Sequence, residues 1–178
     1  KTPLEFVARV ENFDRPDAPT LDFQNAPLFL VTSGSFGVVG GRAKSTSPSD
    51  SVAVASLPGN DVGAVSMAIF DAKPGSGLVF RYRDPSNYWI ITPHPTHGTW
   101  SVVKVEAGNP STLTETANAV GTENVTISVQ TTNDDIVVRL NGRMETVLTD
   151  AFLAEVPATG MMVKGGDASV SQADLDEI

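Results

Sequence analysis

The sequence predicts an all-β protein built as an antiparallel β-sandwich. Short runs of apolar and polar residues alternate with period two, which is the pattern of strands with one buried face. Turn-forming Gly, Pro, Asn and Asp residues separate these runs at intervals of about eight to twelve residues. Helical periodicity never extends beyond a turn or two, and no fixed internal repeat indicates a propeller or solenoid.

The segment Gly77 to Gly108 organises the predicted sheet, because it contains three extended runs separated by short turns. In the first run, period-two alternation places Phe80 and Tyr82 on one face, which we expect to point into the core. Arg81 and Arg83 fall on the opposite face. Because long cationic side chains are rarely buried without a partner, we expect both arginines to face water or a ligand.

The second and third runs continue this segment as a hairpin and a further strand. A turn at Asp84–Asn87 leads into Tyr88–Thr92, where alternation places Trp89 in the core and both end residues on the opposite face. The third run starts at Trp100 and passes through Lys104 to a second turn at residues 108–110. The segment therefore predicts two consecutive antiparallel connections.

Similar patterns along the chain predict the remaining strands, and two turns have specific signals. Asn141–Gly142 supplies the positive φ angles of a two-residue hairpin turn, and Asp150 caps a single helical turn at Ala151–Val156. The predicted strands are Leu4–Val10, Pro27–Thr32, a hairpin within Phe36–Lys44, Ser51–Ser56, Val62–Phe70, Leu113–Val120, Val125–Gln130, Ile136–Leu140, Arg143–Leu148, Thr159–Lys164 and Ala168–Ile178.

Length and composition limit the classes of function. The 178 residues predict one domain, 1–178, and a net charge of −9 disfavours nucleic acid and anionic membranes as partners. The absence of cysteine excludes disulfides, thiolate metal sites and cysteine nucleophiles. No apolar run approaches the length of a membrane span. The chain starts at Lys1 without a signal-peptide pattern, so we interpret it as a processed protein or part of a longer one.

Several short stretches share a likeness to one protein family. They are Glu11–Asp17, Gly34–Ala43, Gly77–Arg81, Asn87–Trp89, Lys104–Gly108 and Ala173–Ile178. Together they resemble the laminin-G/concanavalin-A-like jelly-roll domains found in secreted bacterial proteins and phage tail proteins. The resemblance implies that the predicted sandwich is a concanavalin-A-like jelly roll, and that an outer sheet face or its rim loops bind sugar.

The central segment supplies the candidate residues for a glycan surface. Aromatic rings stack on the apolar faces of sugars, and guanidinium groups form paired hydrogen bonds to hydroxyls or carboxylates. The alternative is structural, since exposed tyrosines and arginines commonly cover apolar surface and pair across strands, and Trp100 also suits a packing role. The candidates are Arg81, Arg83, Tyr88, Thr92, His94, His97, Trp100 and Lys104.

The sequence contains two sets of candidate metal ligands, a pair of histidines and a group of carboxylates near the chain ends. His94 and His97 lie three residues apart in a loop, but two ligands in a turn are insufficient to assign a metal. The resemblance implies a structural calcium ion between the first and last strands. The carboxylates available there are Glu11, Asp14, Asp17 and Asp174, and the alternative is a solvated acidic edge.

The sequence does not predict catalysis. Catalytic relatives of the concanavalin-A-like fold carry Glu-x-Asp-x-Glu on one strand, and Asp174–Glu177 does not match that spacing. No nucleophile elbow, phosphate loop or dinucleotide fingerprint is present. We therefore expect a non-catalytic carbohydrate-binding or adhesion module of a larger extracellular or virion assembly such as a phage tail. The alternative is a structural or decoration protein that acts through protein contacts and oligomerisation.

Overall fold

A computed structural model describes residues 8–11, 13, 16–21, 29–56, 62–117, 121–164 and 169–177, which form two β-sheets. The first sheet contains β1 (Ala8–Glu11), β3 (Phe36–Val38), β4 (Ala43–Ser45), β6 (Val62–Phe70), β11 (Val125–Thr132), β12 (Asp135–Leu140), β13 (Arg143–Thr149) and β15 (Ser169–Glu177). The second sheet contains β2 (Leu30–Ser33), β5 (Ser51–Ser56), β7 (Gly77–Asp84), β8 (Asn87–Pro93), β9 (Trp100–Glu106), β10 (Asn109–Glu115) and β14 (Ala158–Val163).

Every pairing between these strands is antiparallel, and several connections pass from one sheet to the other. The first sheet runs β13-β12-β11-β6-β15-β4-β3, with β1 also paired to β15. The second runs β10-β9-β8-β7-β14-β5-β2. The last strand, β15, therefore lies between β6 and β4, which occur much earlier in the chain. The protein is an antiparallel β-sandwich jelly roll, as predicted.

The main core lies between the two sheets and is centred on the predicted hairpin. Phe80 on β7 pairs with Trp89 on β8, and their rings stack with centroids 5.8 Å apart. Both side chains are buried, which confirms their predicted core positions. Alternating residues of the facing sheet, such as Met67 and Ile127, complete this core. Burial of each large apolar side chain contributes about 1.5–3 kcal/mol before the entropy cost of ordering it.

A second apolar cluster lies on the outer face of the second sheet, away from the main core. Its buried members are Val52, Val54, Val79, Tyr82 and Ile90. Tyr82 was predicted to share the face of Phe80, and that prediction is wrong. The strand register shifts between Phe80 and Asp84, so the alternation that holds up to Phe80 does not continue beyond it.

Arg81 lies within this irregular stretch and has a φ angle of +47°. Its side chain is 3% exposed, so the prediction that it faces water or a ligand is also wrong. The guanidinium group donates to the carbonyl oxygens of Asn133 and Asp150, both at 2.6 Å, and to that of Phe152 at 3.4 Å. The bulge turns Arg81 toward the first sheet, where backbone carbonyls satisfy its charge.

Lys104 likewise contacts other residues of the protein, Asp150 and Trp89, rather than a ligand surface. Its Nζ donates to Oδ2 of Asp150 at 2.9 Å and lies 5.8 Å from the Trp89 ring centroid. Asp150 also accepts the backbone N–H of Phe152 at 2.7 Å, as expected for the cap of the predicted turn at residues 151–156. Burial raises the pKa of Asp150, but the Phe152 N–H and the Lys104 ammonium together lower it below its ordinary value of 3.8.

The predicted boundaries agree with the structure except at a few places. The hairpin turn at Asn141–Gly142 has the expected positive φ angles, 50° and 78°. β10 begins at Asn109 rather than Leu113, and Pro110 is tolerated there because β10 is an end strand of its sheet. Parts of four predicted strands lie outside the described residues, namely residues 4–7, 27–28, 118–120, and residues 168 and 178 at the two ends of the last strand. Among the residues that the structure describes, no helix has the length and apolarity needed to cross a membrane.

Replacing Arg81 should destabilise the fold far more than replacing its neighbour Arg83. The substitution Arg81→Met removes the donor for three carbonyl groups, and we expect a loss of about 3 kcal/mol or more in unfolding free energy. Arg83→Met is the matched control. It removes an exposed ion pair and should cost less than about 1 kcal/mol. Urea denaturation of both variants measures the difference, and equal losses would contradict the assigned role of Arg81.

Asp150 should make the stability of the protein sensitive to acid. Because its pKa is lower in the folded chain, its contribution is fully present above pH 3.8 and is lost as the pH falls through the lower folded-state value. Asp150→Asn should reduce stability at neutral pH and flatten the dependence on pH below that point. Denaturant titrations of both proteins at several acidic pH values test this, and an unchanged slope in the variant would refute it.

Candidate functional site

A groove of about 220 Å³ crosses the outer face of the second sheet. It shares Ile90 with the second apolar cluster and combines an apolar floor with polar residues. We call it the outer groove. Its lining residues are Asp50, Gly75, Tyr88, Ile90, Thr92, Val103, Val105, Pro110, Met162 and Lys164.

The alternation of β8 and β9 produces the floor of the outer groove. Tyr88 and Ile90 on β8 face outward and pair across the sheet with Val105 and Val103 on β9. The residues between them, including Trp89, face the main core. Both faces of this hairpin are therefore apolar, although a sheet that covers one core needs a single apolar face. On this second apolar face Tyr88 and Val103 are partly exposed and can contact a ligand, whereas Ile90 and Val105 are buried.

Tyr88 supplies the aromatic ring in the groove. Its ring centroid lies 5.8 Å from that of Tyr82, which is buried behind it in the second cluster. Burial raises the pKa of the Tyr88 hydroxyl, and the nearby Tyr82 and Asp50 raise it further. The hydroxyl is therefore protonated at neutral pH and can both donate and accept a hydrogen bond.

Polar groups of opposite charge also line the groove. Asp50 and Lys164 are exposed, and within the described part of the chain neither forms a side-chain ion pair. Lys164 lies against Gly75, where an added Cβ would come 2.5 Å from its Cδ. Thr92 accepts the backbone N–H of Gly75 at 2.8 Å through Oγ1, so its hydroxyl holds the turn beside the lysine. These contacts leave a carboxylate and an ammonium group available to a ligand.

Of the predicted glycan residues, the structure places Tyr88 and Thr92 in the outer groove. Trp100 is fully buried in the main core, so the packing interpretation describes its position and the ligand assignment does not. Arg83 donates to Oε1 of Glu155 at 2.6 Å and is not among the residues that line the groove. Arg81 and Lys104 are held by interior partners, as described above.

His94 and His97 lie in the loop between β8 and β9, and both approach Glu115 on β10. His97 Nδ1 is 2.9 Å from Oε2 of Glu115, and His94 Nε2 is 3.6 Å from Oε1. Thr99 also donates to Oε2 at 2.9 Å. Hydrogen bonds from His97 and then Thr99 lower the pKa of Glu115. Glu115 was missed from the sequence, because its approach to the loop depends on the pairing of β9 with β10.

Most residues of the outer groove are not predicted as ligand residues from the sequence. Val103 and Val105 had a detectable signal, since β9 carries apolar residues at both even and odd positions. Asp50, Met162 and Lys164 had none. They reach the groove because β14 pairs with β5 and β7, and that order of strands is not encoded in a local pattern.

The proposed calcium ligands are described in part. Asp14 and the side chains of Glu11 and Asp174 lie outside what the structure describes, although β1 pairs directly with β15 and aligns Val10 with Asp174. The pairing of the first and last strands fits the arrangement implied by the family resemblance. Asp17 Oδ1 accepts the backbone N–H of Gly40 at 2.8 Å, so one of its oxygen atoms already has a partner. The calcium site stays a prediction.

Comparisons with known proteins match the architecture of the chain rather than its sequence. No family model and no curated protein matches the sequence. Among solved structures, the carbohydrate-binding module CBM66 from Bacillus subtilis is similar with a TM-score of 0.65 at 19% identity, covering 86% of this chain and 98% of that module. The CBM2 module of the evolved Dit protein of Lactobacillus casei BL23 phage J-1 has a TM-score of 0.58 at 11% identity, with 98% of each chain covered.

A third similar structure contains a further region beyond the part that matches. The GH43 protein BlXynB from Bacillus licheniformis has a TM-score of 0.68 at 12% identity, covering 93% of this chain but 40% of that protein. At these identities the likeness concerns the fold. The comparisons therefore support a β-sandwich jelly roll of the kind that carbohydrate-binding modules adopt.

Proposed function

We propose that the protein is a non-catalytic carbohydrate-binding module and that the outer groove is its sugar site. The observation that carries this proposal is a groove on the outer face of the sandwich that combines an apolar floor, one tyrosine ring and the charged side chains of Asp50 and Lys164. The similarity to the B. subtilis and phage modules supports the same class of ligand. The first of those structures is a carbohydrate-binding module and the second is the CBM2 module of a phage protein.

The groove offers a sugar ring two kinds of contact, apolar packing and hydrogen bonding. The Tyr88 ring and the side chains of Val103 and Met162 suit the C–H face of a pyranose or furanose. The Asp50 carboxylate accepts hydrogen bonds from sugar hydroxyls, and the Lys164 ammonium donates to them. Because these two charges balance, we propose a neutral glycan rather than a uronic acid polymer.

The acidic content of the groove also supports a binding role rather than hydrolysis. Asp50 is the single acidic residue among the described residues that line it. Glycoside hydrolysis by the common mechanisms requires two carboxyl groups across the scissile bond. We therefore propose that sugar bound here is held without being cleaved.

A substitution series at Tyr88 tests the proposal. Neutral oligosaccharides, first from a glycan array and then in calorimetric titrations, should bind the wild-type protein weakly. Tyr88→Ala should lower the affinity about tenfold or more, because it removes the stacking surface. Tyr88→Phe keeps the ring and should retain most of the affinity.

Arg83→Ala is the control for this series, since Arg83 is exposed and does not line the groove. It should bind sugar as the wild type does. Normal binding by Tyr88→Ala would place the site elsewhere. Failure of the wild-type protein to bind any neutral or acidic glycan would remove the proposed function.

We also propose that the module acts outside the cell or on a virion, as part of a larger assembly. The likeness to the module of a phage Dit protein over 98% of both chains supports this setting. Carbohydrate exposed on a cell surface is the ligand that such a module would meet. The module would then bind the glycan while it is attached to the other proteins of the virion or extracellular assembly.

A second candidate function is assembly through protein contacts, and one observation favours it. Strand β13 ends the described order of the first sheet and exposes Met144 and Val147 at 60% and 58%. Exposed apolar residues on an end strand promote pairing between copies.

Sedimentation or light-scattering mass at several concentrations distinguishes this role from that of a monomeric glycan module. Under the assembly hypothesis the wild-type mass increases with concentration, and Val147→Lys returns it to the monomer value. A constant monomer mass would reject the hypothesis. Lys44→Glu changes the charge of an exposed residue on the same sheet and serves as the control.

A further inference from the structure

Three potential metal-ligating side chains meet at one end of the second sheet. His94, His97 and Glu115 form what we call the histidine cluster, and their ligand atoms all lie within 4.8 Å of one another. The two imidazole rings stack with centroids 3.8 Å apart and planes 12° apart. None of the three residues lines the outer groove.

We propose that the histidine cluster binds one zinc ion through His94, His97 and Glu115. Imidazole nitrogen and carboxylate oxygen are ordinary zinc ligands, and three protein ligands with water in the fourth position form a common zinc arrangement. Calcium and magnesium prefer coordination by oxygen alone, so two histidines argue against those ions.

The distances within the cluster are close to those of a zinc site. Tetrahedral ligands at ordinary zinc distances lie about 3.3 Å from one another. His94 Nε2 and His97 Nδ1 lie 3.6 Å and 2.9 Å from the two oxygens of Glu115. Because a metal ion lies in the plane of each imidazole ring that binds it, one of the two stacked rings must turn out of the stack for both nitrogens to reach one ion. The side chain of His97 is 57% exposed, which gives an ion and its water access to the cluster.

The surrounding backbone orients these ligands before an ion arrives. His94 donates its backbone N–H to the Thr99 carbonyl at 2.7 Å and closes the loop between β8 and β9. The Thr99 hydroxyl holds Glu115, and the pairing of Ser101 with Glu115 places β10 beside the loop. Hydrogen bonds from outer residues of this kind fix ligand orientation and strengthen metal binding.

The hydrogen bonds also define which ring nitrogen carries the proton before the ion binds. Backbone N–H groups of Thr96 and His97 donate to His94 Nδ1, both at 3.2 Å, so the neutral ring carries its proton on Nε2. His97 Nδ1 faces an ionised carboxylate at 2.9 Å and therefore donates to it. The protons of both rings thus point toward Glu115.

Zinc would occupy the space of these two protons, so each ring must move its proton to the other nitrogen. His94 would change from Nε2–H to Nδ1–H, and His97 from Nδ1–H to Nε2–H. No proton is gained or lost by either neutral ring. The change at His94 displaces the two 3.2 Å hydrogen bonds, which limits the affinity relative to a closed structural zinc site.

Zinc titration of the protein, with nitrogen NMR of the imidazole rings, tests this proposal. We expect one saturable zinc ion per chain and the opposite tautomer changes at His94 and His97. His97→Ala and Glu115→Gln should each lower the affinity by more than about tenfold. Glu155→Gln removes an exposed carboxylate elsewhere and should bind zinc as the wild type does.

Circular dichroism of each variant establishes that the fold is intact before zinc is added. Absence of saturable binding, or equal binding by the wild type, His97→Ala and Glu115→Gln, would overturn the proposal. Saturation without the two tautomer changes would also overturn it, because the ion would then lie outside the cluster. None of these outcomes depends on whether the outer groove binds sugar.

Discussion

The buried guanidinium group of Arg81 is the contact on which one end of the sandwich depends. It belongs to the second sheet, yet it donates to the carbonyls of Asn133, Asp150 and Phe152, which lie in turns that follow strands of the first sheet. An unpaired charge in this position would be severely destabilising. Three oriented backbone acceptors replace its hydration and fix how the two sheets meet.

The bulge that buries Arg81 also shapes the outer face of the second sheet. Beyond Phe80 the alternation is broken, and Tyr82 joins Val79 and Ile90 in the outer apolar cluster. Tyr82 then packs behind Tyr88 and contributes to the raised pKa of its hydroxyl. One irregularity thus strengthens the contact between the sheets and supports the aromatic wall of the groove.

The outer groove and the histidine cluster are separate consequences of the same strand pairing. β8 carries Tyr88 and Thr92 into the groove and ends one residue before His94. β9 and β10 return beside it, bringing Val103 to the groove and Glu115 to the histidines. The groove offers stacking and hydrogen bonding, whereas the cluster offers nitrogen and oxygen ligands. Their chemistry can therefore be tested independently.

The sequence alone determined the class of fold and much of the hairpin between β7 and β8. Period-two alternation identified Phe80 and Trp89 as core residues, because regular strands place every second side chain on one face. Local turn chemistry identified Asn141–Gly142 and the cap at Asp150. These features depend on neighbouring residues, which a single sequence displays directly.

The tertiary structure decided which polar residues are available to a ligand. Alternation could not place Arg81, because a bulge changes the direction of a side chain without altering local composition. It also could not bring Lys164 to Tyr88 or Glu115 to His97, since those contacts follow from strand order. Side-chain alternation is a local property of the chain, whereas register breaks and strand order are settled by packing between distant segments.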